Sequence, residues 1–209
     1  EPKFKIVEGC TAHIVDGKAV WSGARLDSVK LPKSFQGPLV IPENVTVVGR
    51  YVCKELTQLT EVILPAGIDT LFCNAFSGCW NLEKINLPEG LILIEPYCFE
   101  GCLSLKELHI PVSLRVGGGM FLGVPSTTKV TMAEGSKYYV ENGAVYSKDN
   151  CFVRLLSDVE EFTVKDGTKS IGSYAFSKCR NLKKIILPAS VDRIDSFAFD
   201  KSITTIVVS

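Results

Sequence analysis

An apolar-proline dipeptide returns along the chain at a fixed interval, and no other feature constrains the fold as strongly. Ile41-Pro42, Leu64-Pro65, Leu87-Pro88 and Ile110-Pro111 stand 23 residues apart, and Val164 precedes Leu187-Pro188 by the same distance. Aligned on that period, other positions fall into columns. An Ala/Cys-Phe pair recurs as Ala75-Phe76, Cys98-Phe99, Ala175-Phe176 and Ala198-Phe199. A Gly/Lys-Cys pair follows as Gly78-Cys79, Gly101-Cys102 and Lys178-Cys179. Then comes Leu-x-x-Ile/Leu-x-Leu/Ile: Leu82, Ile85, Leu87; Leu105, Leu108, Ile110; Leu182, Ile185, Leu187. A unit of this length cannot bury a core alone, so it must stack on copies of itself as one coil of a solenoid.

Within a coil, the Leu-x-x-Ile-x-Leu segment reads as a short strand, with alternate residues inside and outside. Proline ends it where a ladder donor is no longer needed. The Ala-Phe-x-x-Cys stretch is expected to form a short helical turn on the opposite side, its Ala and Phe facing inward. Stacked, the coils should give one continuous parallel sheet of about eight short strands, from Leu39 through Ile206.

Two stretches depart from the period. Near residues 137–157 the coil lengthens, and Tyr138-Tyr139-Val140, Glu141-Asn142-Gly143, Ala144-Val145-Tyr146-Ser147 and Cys151-Phe152-Val153-Arg154-Leu155 read as an inserted β-hairpin or meander. A near copy, Val15-Asp16-Gly17-Lys18-Ala19-Val20-Trp21-Ser22, lies near the start. Residues 1–40 therefore read as a β-hairpin cap over the first coil, with its tight turn at Asp16-Gly17. Residues 41–209 read as the solenoid, in one continuous domain.

At these residues the sequence resembles the BspA-like leucine-rich repeat family, and Ile171-Gly172-Ser173-Tyr174-Ala175-Phe176-Ser177-Lys178-Cys179-Arg180-Asn181-Leu182-Lys183-Lys184-Ile185-Ile186-Leu187-Pro188 follows its unit throughout. The resemblance implies a right-handed α/β leucine-rich repeat solenoid. It also implies a secreted or surface-anchored bacterial protein, several relatives being adhesins for host extracellular matrix or other cells. Val52-Cys53 and Gly117-Gly118-Gly119 depart from the family pattern.

The 209 residues carry 23 Lys+Arg and 23 Asp+Glu, and this balance gives no electrostatic case for nucleic acid or an anionic membrane. No apolar run approaches the length of a membrane span. Glu1-Pro2-Lys3-Phe4-Lys5 lacks the apolar core of a signal segment, as expected of a mature or trimmed chain. Of the eight cysteines, Cys79, Cys102 and Cys179 share one repeat column and Cys98 replaces an inward Ala, so these four read as reduced core thiols, with a bridge between Cys79 and Cys102 on adjacent coils as the alternative. No paired Cys-x-x-Cys, phosphate loop or catalytic triad surrounds them or the two histidines, His13 and His109. No enzyme activity, metal or cofactor is expected.

The strongest functional signal is an outward strand column reading Glu61, Lys84, Glu107, Lys129, Glu161, Lys184, Thr205. On strands about 4.8 Å apart, alternating signs would form a ladder of cross-strand pairs. The same face would offer a rigid polar surface to a protein or glycan, with Asn86 and His109 beside it and Ile63, Ile186 and Val207 as apolar spots. An aromatic column at Tyr51, Tyr97, Tyr174 and Phe197, with Phe72 and Trp80 nearby, reads equally as a contact surface or as packing between coils. A binding module is the leading reading, through the concave-face residues Glu61, Lys84, Asn86, Glu107, His109, Lys129, Glu161 and Lys184. A structural spacer or self-associating ectodomain is the alternative.

Overall fold

A computed structural model describes residues 33–209 in full and, before them, the strand backbones Lys3–Ile6, Cys10–Val15, Lys18–Trp21 and Arg25–Leu26. The chain is a solenoid of parallel strands in which residues about 23 apart become vertical neighbours. The inner face is built from Gly37–Val40, Leu59–Ile63, Lys84–Ile85, Glu107–Ile110, Lys129–Met132, Glu161–Thr163, Lys184–Leu187 and Thr205–Val208. Their register follows the repeat: Val62 faces Ile85, Leu108 faces Val130, and Ile185 faces both Phe162 and Ile206.

These eight strands form three groups rather than one continuous sheet. At the first break, Asn86 ends its strand after two residues by offering its side chain to the ladder. Its Oδ1 accepts from the Leu64 amide at 2.6 Å and its Nδ2 donates to the Leu64 carbonyl at 2.9 Å. The stack itself continues there, since the Lys106 amide reaches the Glu83 carbonyl at 3.1 Å. The second break, between Lys129–Met132 and Glu161–Thr163, is where the inserted strands enter.

Each regular coil also carries a second strand that the repeat reading did not separate. Val47–Val48, Thr70–Leu71 and Leu93–Ile94 pair in parallel, as do Ser170–Ile171 and Arg193–Ile194. Arg25–Leu26 joins the first group beside Val47–Val48. Ahead of it, Lys3–Ile6, Cys10–Val15 and Lys18–Trp21 form an antiparallel sheet. The turn expected at Asp16-Gly17 lies outside the described residues.

The expected helical turns are replaced by hydrogen-bonded turns, and among the described residues the one helix is the 3-10 segment Gly118–Phe121. The reason is a column of left-handed residues directly before the Ala-Phe pair: Tyr51, Asn74, Tyr97, Tyr174 and Phe197, with φ between 57° and 64°. A second left-handed column follows at Glu55, Gly78, Gly101 and Lys178. Helices require negative φ throughout, so neither column can lie inside one. The turn amides instead bond to the next coil: Cys53 to the Ala75 carbonyl at 2.8 Å, Glu55 to Ser77 at 2.7 Å, Phe76 to Cys98 at 3.0 Å, Gly78 to Glu100 at 2.7 Å.

The inserted residues Tyr138–Glu141, Ala144–Ser147 and Cys151–Leu155 form an antiparallel meander whose last strand pairs in parallel with Ser170–Ile171. All of Ala144–Ser147 is buried. Val145 and Val153 belong to the apolar core before it, whereas Ala144, Tyr146, Phe152 and Leu155 belong to the core after it. The insertion is thus a wall between two halves of the interior, not a surface ornament.

The Phe column stacks inside. Phe76 and Phe99 lie 5.9 Å apart, Phe176 and Phe199 5.7 Å, and Phe152 sits 4.6 Å from Phe176. Cys53, Cys79, Cys98 and Cys102 are fully buried, and none of the seven described cysteines is paired. The Cys79 thiol donates to the Cys53 carbonyl at 3.0 Å and the Cys102 thiol to the Phe76 carbonyl at 3.2 Å. Cys179, expected in the core, is only part-buried, and the shortened final coil sets Ser202 against it, hydroxyl to the Cys179 carbonyl at 2.9 Å.

Removing a stacked ring should leave a void, so Phe76→Ala is expected to cost about 3–5 kcal/mol in urea unfolding; a wild-type midpoint would place the ring outside the core. Burial pushes the Cys79 thiol from 9.0 up to about 12, and it raises Cys53, Cys98 and Cys102 as well. Their contribution is complete below the unfolded value and falls as pH rises beyond it, because unfolded thiols then ionise while folded ones stay protonated. Under reducing conditions, stability should drop by about 1.4 kcal/mol per pH unit for each such thiol above pH 9. Equal unfolding free energies at moderately and strongly alkaline pH would contradict this.

Candidate functional site

The inner-face column is present, but its charges do not form one ladder. Glu61 faces Lys84, Glu107 faces Lys129, and Glu161 faces Lys184, which in turn faces Thr205. The sheet breaks separate Lys84 from Glu107 and Lys129 from Glu161 as strand neighbours. Of the three facing pairs only Lys184–Glu161 closes, Nζ to Oε1 at 3.0 Å. The neighbouring column supplies a further ion pair, Lys106 to Glu83. Exposed pairs of this kind are worth about 0.2–1 kcal/mol, so alternation along the column is a weak stabiliser.

The remaining residues divide by what already holds them. Asn86 is exposed but committed to the Leu64 backbone. His109 is exposed, with Nδ1 2.9 Å from Thr131 Oγ1. Among the described residues, exposed Lys84, Glu107 and Lys129 form no ion pair, and half-buried Glu61 likewise forms none. Their Cα positions are fixed by paired strands while their charged ends remain available to solvent or a ligand.

A groove of about 750 Å³ lies away from this face. It forms in the coil where the second strand is missing: Val116-Gly117 occupies the place that Leu93–Ile94 holds one coil earlier. Neighbouring coils approach closely from both sides: a Cβ at Gly118 would lie 2.5 Å from the Ser173 carbonyl oxygen, and one at Gly119 2.9 Å from Pro96 Cγ of the preceding coil. Arg115, Lys169 and Arg193 line the groove together with Asp149, Asp192 and Asp195, the Arg193–Asp195 pair closing at 3.2 Å. Its sequence signal was the Gly117-Gly118-Gly119 run, legible as a departure but not as a groove.

The aromatic column is partly structural. Tyr174 and Phe197 stack at 5.5 Å, and the Lys178 ammonium lies 4.7 Å above the Tyr97 ring. Tyr51, Trp80 and Phe197 remain exposed.

A family model described as BspA type leucine-rich repeat region matches six copies over residues 33–148 and 145–209. Among solved structures, a leucine-rich repeat protein from Eubacterium ventriosum is 16% identical with a TM-score of 0.67, over 99% of this chain and 72% of its own. The pneumococcal vaccine antigen PcpA is 17% identical with a TM-score of 0.54, over 98% of this chain and 70% of its own. Compared with curated proteins, the sequence matches none.

If the one closed rung is distinct from the open ones, Lys184→Ala should lower the unfolding free energy by about 0.5 kcal/mol and Lys84→Ala should change it by less than that. The reverse order in matched urea titrations would contradict the geometry.

Proposed function

The chain belongs to the BspA-type leucine-rich repeat family, and we propose that it is a non-enzymatic binding module of a bacterial surface or secreted protein. On this reading it holds a protein or glycan, such as host extracellular matrix or another cell surface, against its inner face. The observation that carries the proposal is the set Lys84, Glu107 and Lys129: exposed charges without ion-pair partners among the described residues, on three successive inner strands. Stacked coils hold them at fixed positions, Glu107 and Lys129 on paired strands and Lys84 on the group before, so a partner would meet little ordering cost on this side. Exposed Ile63 adds an apolar spot near one end of the face. Charge complementarity of this kind favours specificity and fast encounter over raw affinity. An extracellular location is supported by the family resemblance and by the description of PcpA as a vaccine antigen.

The test is a screen of the purified chain against immobilised matrix proteins and glycans. It is followed by the same measurement on Lys84→Glu/Glu107→Lys/Lys129→Glu. At least one binder is expected, with at least a tenfold loss, about 1.4 kcal/mol, in the charge-reversed protein. No binder, or a binder indifferent to the reversal, would overturn the reading.

A further inference from the structure

Arg154 is the one charged side chain among the buried described residues, with 6% of its surface exposed. Its position follows from the insertion. In regular coils, turn amides donate to carbonyls of the next turn, as Glu55 does to Ser77 and Gly78 to Glu100. The inserted strand Cys151–Leu155 has no such turn to offer. The Leu155 amide therefore supplies the Ala175 carbonyl at 2.9 Å, and Arg154 Nη1 supplies the carbonyls of Ser177 and Tyr174, each at 2.7 Å.

Satisfying two carbonyls does not require a charge. A buried guanidinium carries a large desolvation cost, and among the described residues no carboxylate lies within ion-pair distance to offset it. Burial accordingly pulls its pKa down, against weaker support from Cys179 and Asp200. Asp200 itself is occupied by the amides of Lys178 and Ser202. Arg154 Nε is buried without a hydrogen-bond partner, and Nη2 bonds to none of the described residues. Nε is itself buried, so Nη2 is the donor of this guanidinium left for an oxygen of a carboxylate, sulfate or phosphate.

Arg154 lines a polar pocket of about 330 Å³ together with Ser157, Asp158, Lys178, Arg180 and Asn181. Three cations thus face one acid, and that acid, Asp158, already accepts from Asn181 Nδ2 at 2.9 Å. Lys178 is paired with Glu100, while exposed Arg180 forms no ion pair among the described residues. We propose that this pocket, on the turn side of the solenoid, is an oxyanion-binding site in which Arg154 Nη2 and the head of Arg180 hold one sulfate- or phosphate-type group. The site is separate from the inner face and does not depend on ligand binding there.

The test uses inorganic sulfate and inorganic phosphate, with chloride at matched ionic strength as control, on the whole chain. The readouts are the side-chain Nε–H resonance of Arg154 and isothermal calorimetry. The Arg154 resonance should move saturably with sulfate or phosphate and not with chloride. Arg180→Ala, an exposed change, should weaken binding at least fivefold while leaving the fold intact. Arg154→Gln, if folded, should abolish it; if it does not fold, the resonance and Arg180→Ala still decide. Because sulfate stabilises proteins generally, a rise in melting temperature alone does not count. A saturable response to acetate as strong as that to sulfate would support the site and assign it to planar carboxylates instead. An unmoved Arg154 resonance, or an Arg180→Ala titration identical to wild type, would overturn the proposal. If the anions respond, a sulfated disaccharide and a phosphorylated peptide run in parallel would identify which source the pocket accepts.

Discussion

The stacking of this molecule depends on backbone groups that are satisfied one coil away, beside the short bonds that close each turn within its own coil. Inner strands, second strands and turns all donate and accept across an offset of 22 or 23 residues, as in Ile41 to Ile63, Asp69 to Thr46 and Gly78 to Glu100. Buried peptide groups cannot be left unpaired at tolerable cost, so no coil is stable without its neighbours. Where the backbone cannot supply a partner, a side chain does. Asn86 completes the Leu64 rung, Arg154 supplies Ser177, and Asp200 receives the Lys178 amide at 2.9 Å.

The same constraint explains where the irregular surfaces lie. The insertion at Tyr138–Leu155 interrupts the inner sheet and divides the apolar interior, and both pockets border it. The coil before it gives up its second strand at Val116-Gly117, opening the larger groove. The coil after it lacks a turn neighbour, and Arg154 enters the interior to fill that role. Regular coils present a repetitive, rigid face, whereas one-off chemistry collects where the repeat is broken.

Much of this was legible in the sequence because the repeat period fixes both register and facing direction. Glu61 opposite Lys84 and the inward Phe76, Phe99 and Phe176 follow from counting alone. The turns were misread as helical because Ala-Phe-x-x-Cys has helical spacing. The left-handed backbone at Tyr51, Asn74, Tyr97 and Tyr174 has no single residue signature, since Tyr, Asn and Phe share the column. The continuous charge ladder failed for a different reason. Asn86 looked like an outward binding residue, but its amide matches the backbone groups it replaces, and strand identity cannot reveal that exchange. Arg154 lay within a strand read correctly, yet its burial depends on the absent turn of its own coil, a property of the assembly. The second strand was present as Val45-x-x-Val48, Ile68-x-x-Leu71 and Leu91-x-x-Ile94, a column visible once its counterpart is known.

For function, the consequence is a scaffold whose inner charges are spaced by hydrogen bonds and whose ring stack resists bending. Binding by such a surface selects partners through spacing more than through adaptation. The most direct measurement of the underlying claim is native-state hydrogen exchange at the turn amides of Cys53, Glu55, Phe76 and Gly78. These should exchange as slowly as the inner-strand amides of Val62 and Leu108, because each is bonded to the next coil. Exchange at the rate of an open surface turn would show that successive coils are not joined on that side, and the stacking account would fail.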